Sequence, residues 1–242
     1  MMTTVPTLAD LLEVNDATWP AAVVHRRGPW LLREGQGGGR RVSSATALAA
    51  VGDGDIDAAE ALHRELGQKC QFMIRPGDEA LDAMLAARGY QVEDEVVLMV
   101  ASLHDFPVPE RLRAFAHWPP LAILREVWPE VGINAARQQV MNRVTGPRAA
   151  LMSRSGHGPD RVTGAGFVGV SGRVAMVHAL GVLPQWRRDR SAWNMMAEAG
   201  AWAREQGADT IALVVLADNR AARALYASMG FETVGGYHYR SA

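Results

Sequence analysis

Two stretches of this 242-residue chain repeat one pattern, and the repeat constrains the fold more than any other feature. "DAMLAARGYQV" (residues 82–92) and "RALYASMGFETV" (residues 223–234) each read as a short helix with Ala and Leu on its inner side. In each, a glycine stops the helix and an aromatic residue opens a strand. A glycine there suits the left-handed conformation on which many helices end. An apolar strand precedes each copy, "QFMIRPG" in the first and "TIALVVLADN" in the second, and Gly89 and Gly230 stand 141 positions apart. Strand, helix, glycine and aromatic recur in order, which reads as an internal duplication.

Between the copies lies "HDFPVPE" (residues 104–110), with two X-Pro dipeptides that favour extended backbone. It follows "EVVLMVASL", a buried strand by composition. The domain boundary is placed here, giving units 1–103 and 104–242. In the second unit, residues 148–154, 161–170 and 173–182 read as three strands, joined by the loop "SGHGPD" and by a tight turn at Ser171-Gly172. Helical segments in "PLAILREVWPEV" and "NAARQQVMNRV" precede them. A helix over 191–206 follows, with Ala192, Met195, Met196, Ala199 and Trp202 on one face. After Gly207 come a strand at 210–216 and a helix that Asp218 or Asn219 can cap. The order predicts an α+β fold, each unit a mixed, mostly antiparallel twisted sheet flanked by helices, with a central crossover through the long helix.

Composition narrows the function. Hydrophobic residues make up 48% of the chain, enough for a sizeable core. A net charge of −1 argues against a generic nucleic-acid binder. Cys70 is the single cysteine, which excludes an intrachain disulfide and fits a cytoplasmic location. No apolar run approaches a membrane span, the N-terminus lacks a signal-peptide pattern, and the seven histidines show no metal-ligand spacing. No metal, nucleic-acid or membrane partner is expected; the chain is expected to be a monomer or homodimer.

The chemistry concentrates where an apolar strand, "VHALGV", runs into three arginines and a helix. "V182-L-P-Q-W-R187-R-D-R190-S-A192" resembles the acyl-CoA-binding signature of the GNAT N-acyltransferase superfamily, V-x-P followed after two or three residues by Q/R-x-x-G-x-G/A. Downstream, "ADN219RAARALY226ASMGF231" resembles its second signature, an asparagine capping a helix that ends in L-Y-x-x-x-G-F. The likeness spans roughly residues 162–234. One residue departs from it: Arg190 stands where the family has glycine.

The physics of the first motif is anion binding. The first turn of the helix leaves N–H groups without intrahelical partners, and the positive end of the helix dipole adds to them. Arg187, Arg188 and Arg190 supply charge beside Asp189, and small Ser191 and Ala192 let phosphates approach the backbone. The alternative is a solvated basic turn, although cations are disfavoured at a helix start. Arg190 is expected to fit only with a negative φ and an outward side chain.

The resemblance implies acetyl-CoA as co-substrate, with main-chain contacts from Leu180 and Val182 on one splayed strand and from Asn219 on the facing side. It implies that Tyr226 donates a proton to the departing thiolate, a reasonable match for a phenol of pKa about 10; Tyr226 read structurally is a core aromatic. "VHALGV" resembles the "HALAV" of arylalkylamine N-acetyltransferases, which makes His178 a candidate base, its pKa near 6.5 suited to the task; the alternative is a packed histidine. Glu126 and Glu130 are weaker candidates for holding an ammonium group, an exposed helix face being the other reading. In the first unit, Leu85 takes the place of Tyr226 and Asp78 that of Asn219, and no R-x-x-G-x-A stretch occurs. That unit resembles a GNAT domain that has lost its acyl-CoA site. The glycine run "REGQGGGRRV" lacks a phosphate-loop ending and reads as a flexible hairpin. Trp118 and Trp128 are read as packing residues, with an acceptor-pocket wall as the alternative. The expected reaction is direct transfer of an acetyl group to a small-molecule amine or amino-acid derivative, since no cysteine lies near the motif. A non-catalytic acyl-CoA-binding or regulatory module is the alternative.

Overall fold

A computed structural model describes residues 5–156 and 161–242; the loop expected over 155–160 therefore lies partly outside the described residues. The first half contains α1 (Leu8–Thr18), β1 (Val23–Arg27), β2 (Trp30–Glu34), β3 (Ala45–Ala47), α2 (Asp53–Glu65), β4 (Gln71–Ile74), α3 (Glu79–Ala87) and β5 (Gln91–Ser102). The second contains β6 (Ala114–His117), α4 (Ala122–Glu130), α5 (Ala135–Arg143), β7 (Arg148–Arg154), β8 (Val162–Ser171) and β9 (Val174–Val182). It ends with α6 (Ser191–Glu205), β10 (Thr210–Leu216), α7 (Arg220–Ser228) and β11 (Glu232–Ser241).

Local chemistry accounts for many boundaries. Thr7 and Asp10 form a reciprocal capping box at α1, and the Asn219 side chain accepts from Ala222 N at 3.1 Å to start α7. The duplicated helices end alike. Gly89 and Gly230 adopt φ of +86° and +87°. In α3, Tyr90 N donates to Leu85 O at 3.0 Å; in α7, Phe231 N donates to Tyr226 O at 3.1 Å. These are the six-to-one bonds of a Schellman ending, which needs a left-handed residue at the glycine.

The two halves do not close separate sheets. All eleven described strands form one sheet in the order β1-β2-β3-β4-β11-β5-β10-β9-β8-β7-β6. Only β3·β4 and β9·β10 are parallel. The strand that ends each half crosses to the other: β5 lies between β11 and β10, and β11 between β4 and β5. The pairing obeys the 141-residue offset. Leu213↔Met99 and Val215↔Val97 in β10·β5 match Phe72↔Arg240 and Ile74↔His238 in β4·β11. Val96↔Tyr237 maps onto itself and marks a pseudo-two-fold axis through the sheet. The crossing pairs strand edges that separate units would expose.

Side-chain alternation divides the core between the faces. Leu213 and Val215 join Met195, Met196, Ala199 and Tyr226 under α6 and α7. Ala212 joins Leu11, Val14 and Tyr239 under α1, and Phe167, Trp128 and Val140 pack beneath α4 and α5. The segment 104–110 is packed: Phe106 lies on α6 and meets the Phe231 ring edge-on at 5.7 Å. The glycine loop after β2 does join an antiparallel pair, β2·β3, as the expected hairpin, but it is packed against α5 and not free. A Cβ on Gly38 would lie 2.6 Å from Val140 Cγ2 of α5.

Candidate active site

Parallel pairing of β9 with β10 runs from Val174↔Thr210 to Val177↔Leu213 and stops. β9 continues to Val182 along β8, and β10 to Leu216 along β5, so the strands part after Val177 and Leu213. β9 also shifts register against β8 between the Ala165 and Phe167 pairs, and Ala179 there has φ of +51°. A left-handed alanine costs roughly 1–2 kcal/mol. Such strain gathers at functional sites, and a bulge re-aims the strand. Nothing about an alanine in sequence signals it.

On the α6 face of this divergence lies a slot of about 390 Å³. Val182 and Trp186 form one wall, Ala221 and Leu225 of α7 another, and the turn and first residues of α6 the floor. The first bond of α6 is Asn194 N to Arg190 O at 2.8 Å. Among the described residues, the amides of residues 188–193 meet no acceptor, and no side chain caps the helix. Arg188 and Arg190 have φ of +64° and +57°, which alternates the backbone in the manner of an anion-binding nest.

The expected negative φ at Arg190 is therefore corrected. The turn requires a left-handed residue at the helix cap, and Arg190 supplies it without being glycine. Its guanidinium stacks over the Trp193 ring at 4.3 Å and pairs with Glu110 at 2.8 Å, which offsets the backbone cost and turns the side chain outward. Arg187 and Arg188 are exposed and have no ion pair among the described residues. Asp189 has a different occupation: Arg113 donates to its carbonyl at 2.8 Å and its carboxylate at 3.0 Å, fixing the turn. Ser191 is buried in a hydroxyl chain with Thr163 and Ser153, each link 2.8 Å, that ties α6 to β8 and β7. Arg113 and Asn194, which accepts from Glu110 N at 2.8 Å, escaped the sequence reading; only tertiary contacts reveal them.

Tyr226 sits on α7 one residue past the slot-lining Leu225, outside the slot lining itself; it is 9% exposed in the core under α6, its ring 5.7 Å from Phe231. Burial pushes its phenol up to about 12, so it is protonated at neutral pH. Among the described residues its hydroxyl has no hydrogen-bond partner. Leu180 packs against the α6 core from the splayed end of β9, and the Asn219 side chain caps α7; neither is among the residues that line the slot.

His178, the first residue past the parting point, is 2% exposed and faces α1. Its ring lies 5.1 Å from Trp19. Arg41 donates to Nδ1 at 3.1 Å, so Nε2 carries the proton and donates to Thr18 Oγ1 at 2.8 Å. Thr18 in turn donates to Val14 O at 2.7 Å. Burial first, and the Arg41 charge second, hold the imidazole well below its ordinary range and neutral. Glu126 and Glu130 are exposed on α4. Trp128 is fully buried, and Trp118 lies under Arg148 at 4.7 Å. Neither lines the slot. No group of three or more metal-ligating side chains occurs among the described residues, and no described helix is long and apolar enough to cross a membrane.

The slot lies inside a stretch with known relatives. Residues 154–231 match the acetyltransferase (GNAT) family. The chain is 26% identical over 235 residues to an uncharacterized N-acetyltransferase, YobR, of Bacillus subtilis (strain 168), a match covering 93% of this chain and 94% of that protein. A GCN5-related N-acetyltransferase from Kribbella flavida shares the fold, with a TM-score of 0.66, 16% identity, and coverage of 98% of this chain and 96% of that one. A tandem GNAT protein from the clavulanic acid biosynthesis pathway does so with a TM-score of 0.57 and 17% identity, over 82% and 74% of the two chains.

Proposed function

Because residues 154–231 form a GNAT-family acetyltransferase domain, we propose that the chain moves an acetyl group from acetyl-CoA directly to the amine of a small molecule or amino-acid derivative. One observation supports this reading: among the described residues six consecutive amides, 188–193, have no acceptor, and all of those residues but Asp189 line a slot beside two parting strands. An array of free N–H groups at a helix start, with Arg187 and Arg188 unpaired beside it, suits a diphosphate. The slot volume and the divergence suit an extended arm reaching inward past Val182 and Leu180, with Asn219 opposite.

When bound, acetyl-CoA supplies the acyl thioester. Residues 188–193 hold the diphosphate, while Trp186, Leu225 and Val182 exclude water along the arm. Tyr226 keeps its proton at neutral pH and gives it up as the thiolate departs; burial guarantees the protonated form but makes the transfer to a thiolate of lower pKa uphill. His178 takes the amine proton at Nδ1 once Arg41 has moved off that nitrogen. The first half, with Leu85 and Asp78 at the corresponding positions, is a degenerate copy that shapes the acceptor side. A cytoplasmic location fits the single cysteine.

One observation favours a second reading, a non-catalytic acyl-CoA-binding module: the lone pair of His178 is already engaged by Arg41. Calorimetric titration with acetyl-CoA, followed by thiol release over a panel of amines, separates the two. Binding with amine-dependent thiol release supports transfer. Binding without release on any amine supports the module, and absence of binding removes both.

A further inference from the structure

On the sheet face opposite the slot, a second cavity of about 190 Å³ opens where β10 runs free of β9. Its walls come from both halves: Arg40, Arg41 and Asp94 from the first, Arg137 of α5 and Val214 of β10 from the second, and Tyr237 of β11 near the pseudo-two-fold axis. The charges here do not balance. Arg40 is paired with Glu93 and Asp94, Glu93 also with Lys69, and nearby Arg33 with Asp16. Among the described residues Arg41 has no carboxylate partner: it touches Asn15 Oδ1 at 3.3 Å and His178 Nδ1 at 3.1 Å, and lies 5.4 Å from the Trp19 ring. The Arg137 guanidinium has no hydrogen bond or ion pair among the described residues, and is half-buried against Gly39, where a Cβ would lie 3.2 Å from its Nε and Nη2. Its own burial first, and the Arg41 charge second, disfavour the Arg137 charge, with Asp94 opposing them.

Two half-buried guanidinium groups on one cavity, neither ion-paired among the described residues, cost free energy that a ligand anion would recover. Asp94 on the rim has φ of +48° at a register shift of β5 against β11, so the wall is also locally strained. Arg41 links the cavity to His178 and thus to the point where β9 and β10 part.

We infer that this cavity binds an anionic group, carboxylate or phosphate, on the molecule that accepts the acetyl group. The identification of that molecule as the acceptor rests on the acetyl-transfer reading; the binding of an anion does not. Arg137 and Arg41 grip the anion as a forked pair, and the amine of the same molecule reaches past His178 toward the slot. A neutral amine of equal size lacks this anchor.

The test uses the full chain without acetyl-CoA. Calorimetric or ligand-observed NMR titration compares N-acetylated L-amino acids with their neutral amides, and O-phosphoethanolamine with ethanolamine. At least one anionic member is expected to bind about tenfold tighter than its neutral partner, and Arg137→Gln to remove that preference while Arg137→Lys retains part of it. Preference within the amino-acid set identifies a carboxylate, and within the ethanolamine pair a phosphate. A preference that survives both Arg137→Gln and Arg41→Gln, in proteins whose circular dichroism melts match the parent, overturns the inference. So does a wild-type chain that binds acid and neutral members equally. Anion preference without acetylation of any amine sinks the transfer reading alone; acetylation that ignores the charge of the acceptor sinks this one alone.

Discussion

Helix α2 joins the parallel strands β3 and β4 as α6 joins β9 and β10, each placed beside the half's own strand–helix–Schellman repeat. Their first turns carry opposite chemistry. In α2, Asp55 accepts from Gly52 N at 2.9 Å, and Arg88 holds the Asp53 carboxylate at 2.9 Å and its carbonyl at 3.0 Å. The positive end of that helix meets its own carboxylates, as the dipole favours. In α6 the corresponding end has arginines before it, no acid in its first turn and no capping side chain. An arrangement that the dipole disfavours, kept beside an open slot, makes sense when an outside anion completes it. The same scaffold thus offers one self-satisfied helix start and one that waits for a ligand.

The largest expected effect breaks the comparison at the helix that follows. Tyr226→Phe should lower kcat by roughly 10²–10⁴ with little change in acetyl-CoA affinity, measured by steady-state thiol release beside calorimetry. Leu85→Met at the equivalent position should leave turnover unchanged. An undiminished kcat in Tyr226→Phe would remove the phenol from the mechanism.

Next comes the helix start itself. Arg187→Glu with Arg188→Glu should weaken acetyl-CoA binding by about 100-fold, as two charge-assisted contacts are replaced by repulsion. Asp53→Asn on α2 should not change it. Equal affinity in the double variant, read by calorimetry at fixed salt, would place the diphosphate elsewhere.

Acid should destabilise both halves, each through one buried imidazole. His63 lies buried in the first half, and desolvation lowers its pKa to about 4. His178 is lowered in the same direction. For either, the unfolded chain binds the proton more readily, so stability is complete above pH about 6.5 and falls as pH drops through that value, for His63 down to about 4. Between pH 7.5 and 5, His63 alone should cost about 2 kcal/mol, read from urea midpoints, and His63→Gln should flatten that part of the slope. A parent with no slope in this window would mean that these rings are not held neutral.

The smallest effect sharpens the comparison from the other side. Asp55→Ala removes the α2 cap and should cost about 1 kcal/mol, a fall in Tm of roughly 2–4 °C, with no change in acetyl-CoA affinity.

Much of the scaffold could be read in advance because it rests on contacts a few residues apart. The strands at 148–154 and 210–216, the face of α6, the Asn219 cap and the paired glycine endings follow from side-chain period, capping and the freedom of glycine. The slot-lining residues Val182, Arg187, Arg188, Arg190, Ser191 and Ala192 were legible for the same reason: they sit at one strand–turn–helix junction. The left-handed backbone at Arg190 was not, since its compensation comes from Glu110 and Trp193, the first of them 80 positions away. The motif makes Asp189 a cofactor contact, whereas the fold has Arg113 holding it.

By itself, then, the sequence determined most helices and strands of the second half, the Asn219 cap and the 141-residue repeat, because those depend on near neighbours along the chain, while α1 and β6 emerged only in the fold. Tertiary structure decided that β5 and β11 cross into each other's half, that His178 is sealed between Thr18 and Arg41, and that Arg41 and Arg137 line one cavity without an ion pair of their own among the described residues. Each of these joins groups tens to more than a hundred residues apart. Edge pairing and burial across such distances are set by the packing of the whole chain and leave no periodic trace in either partner.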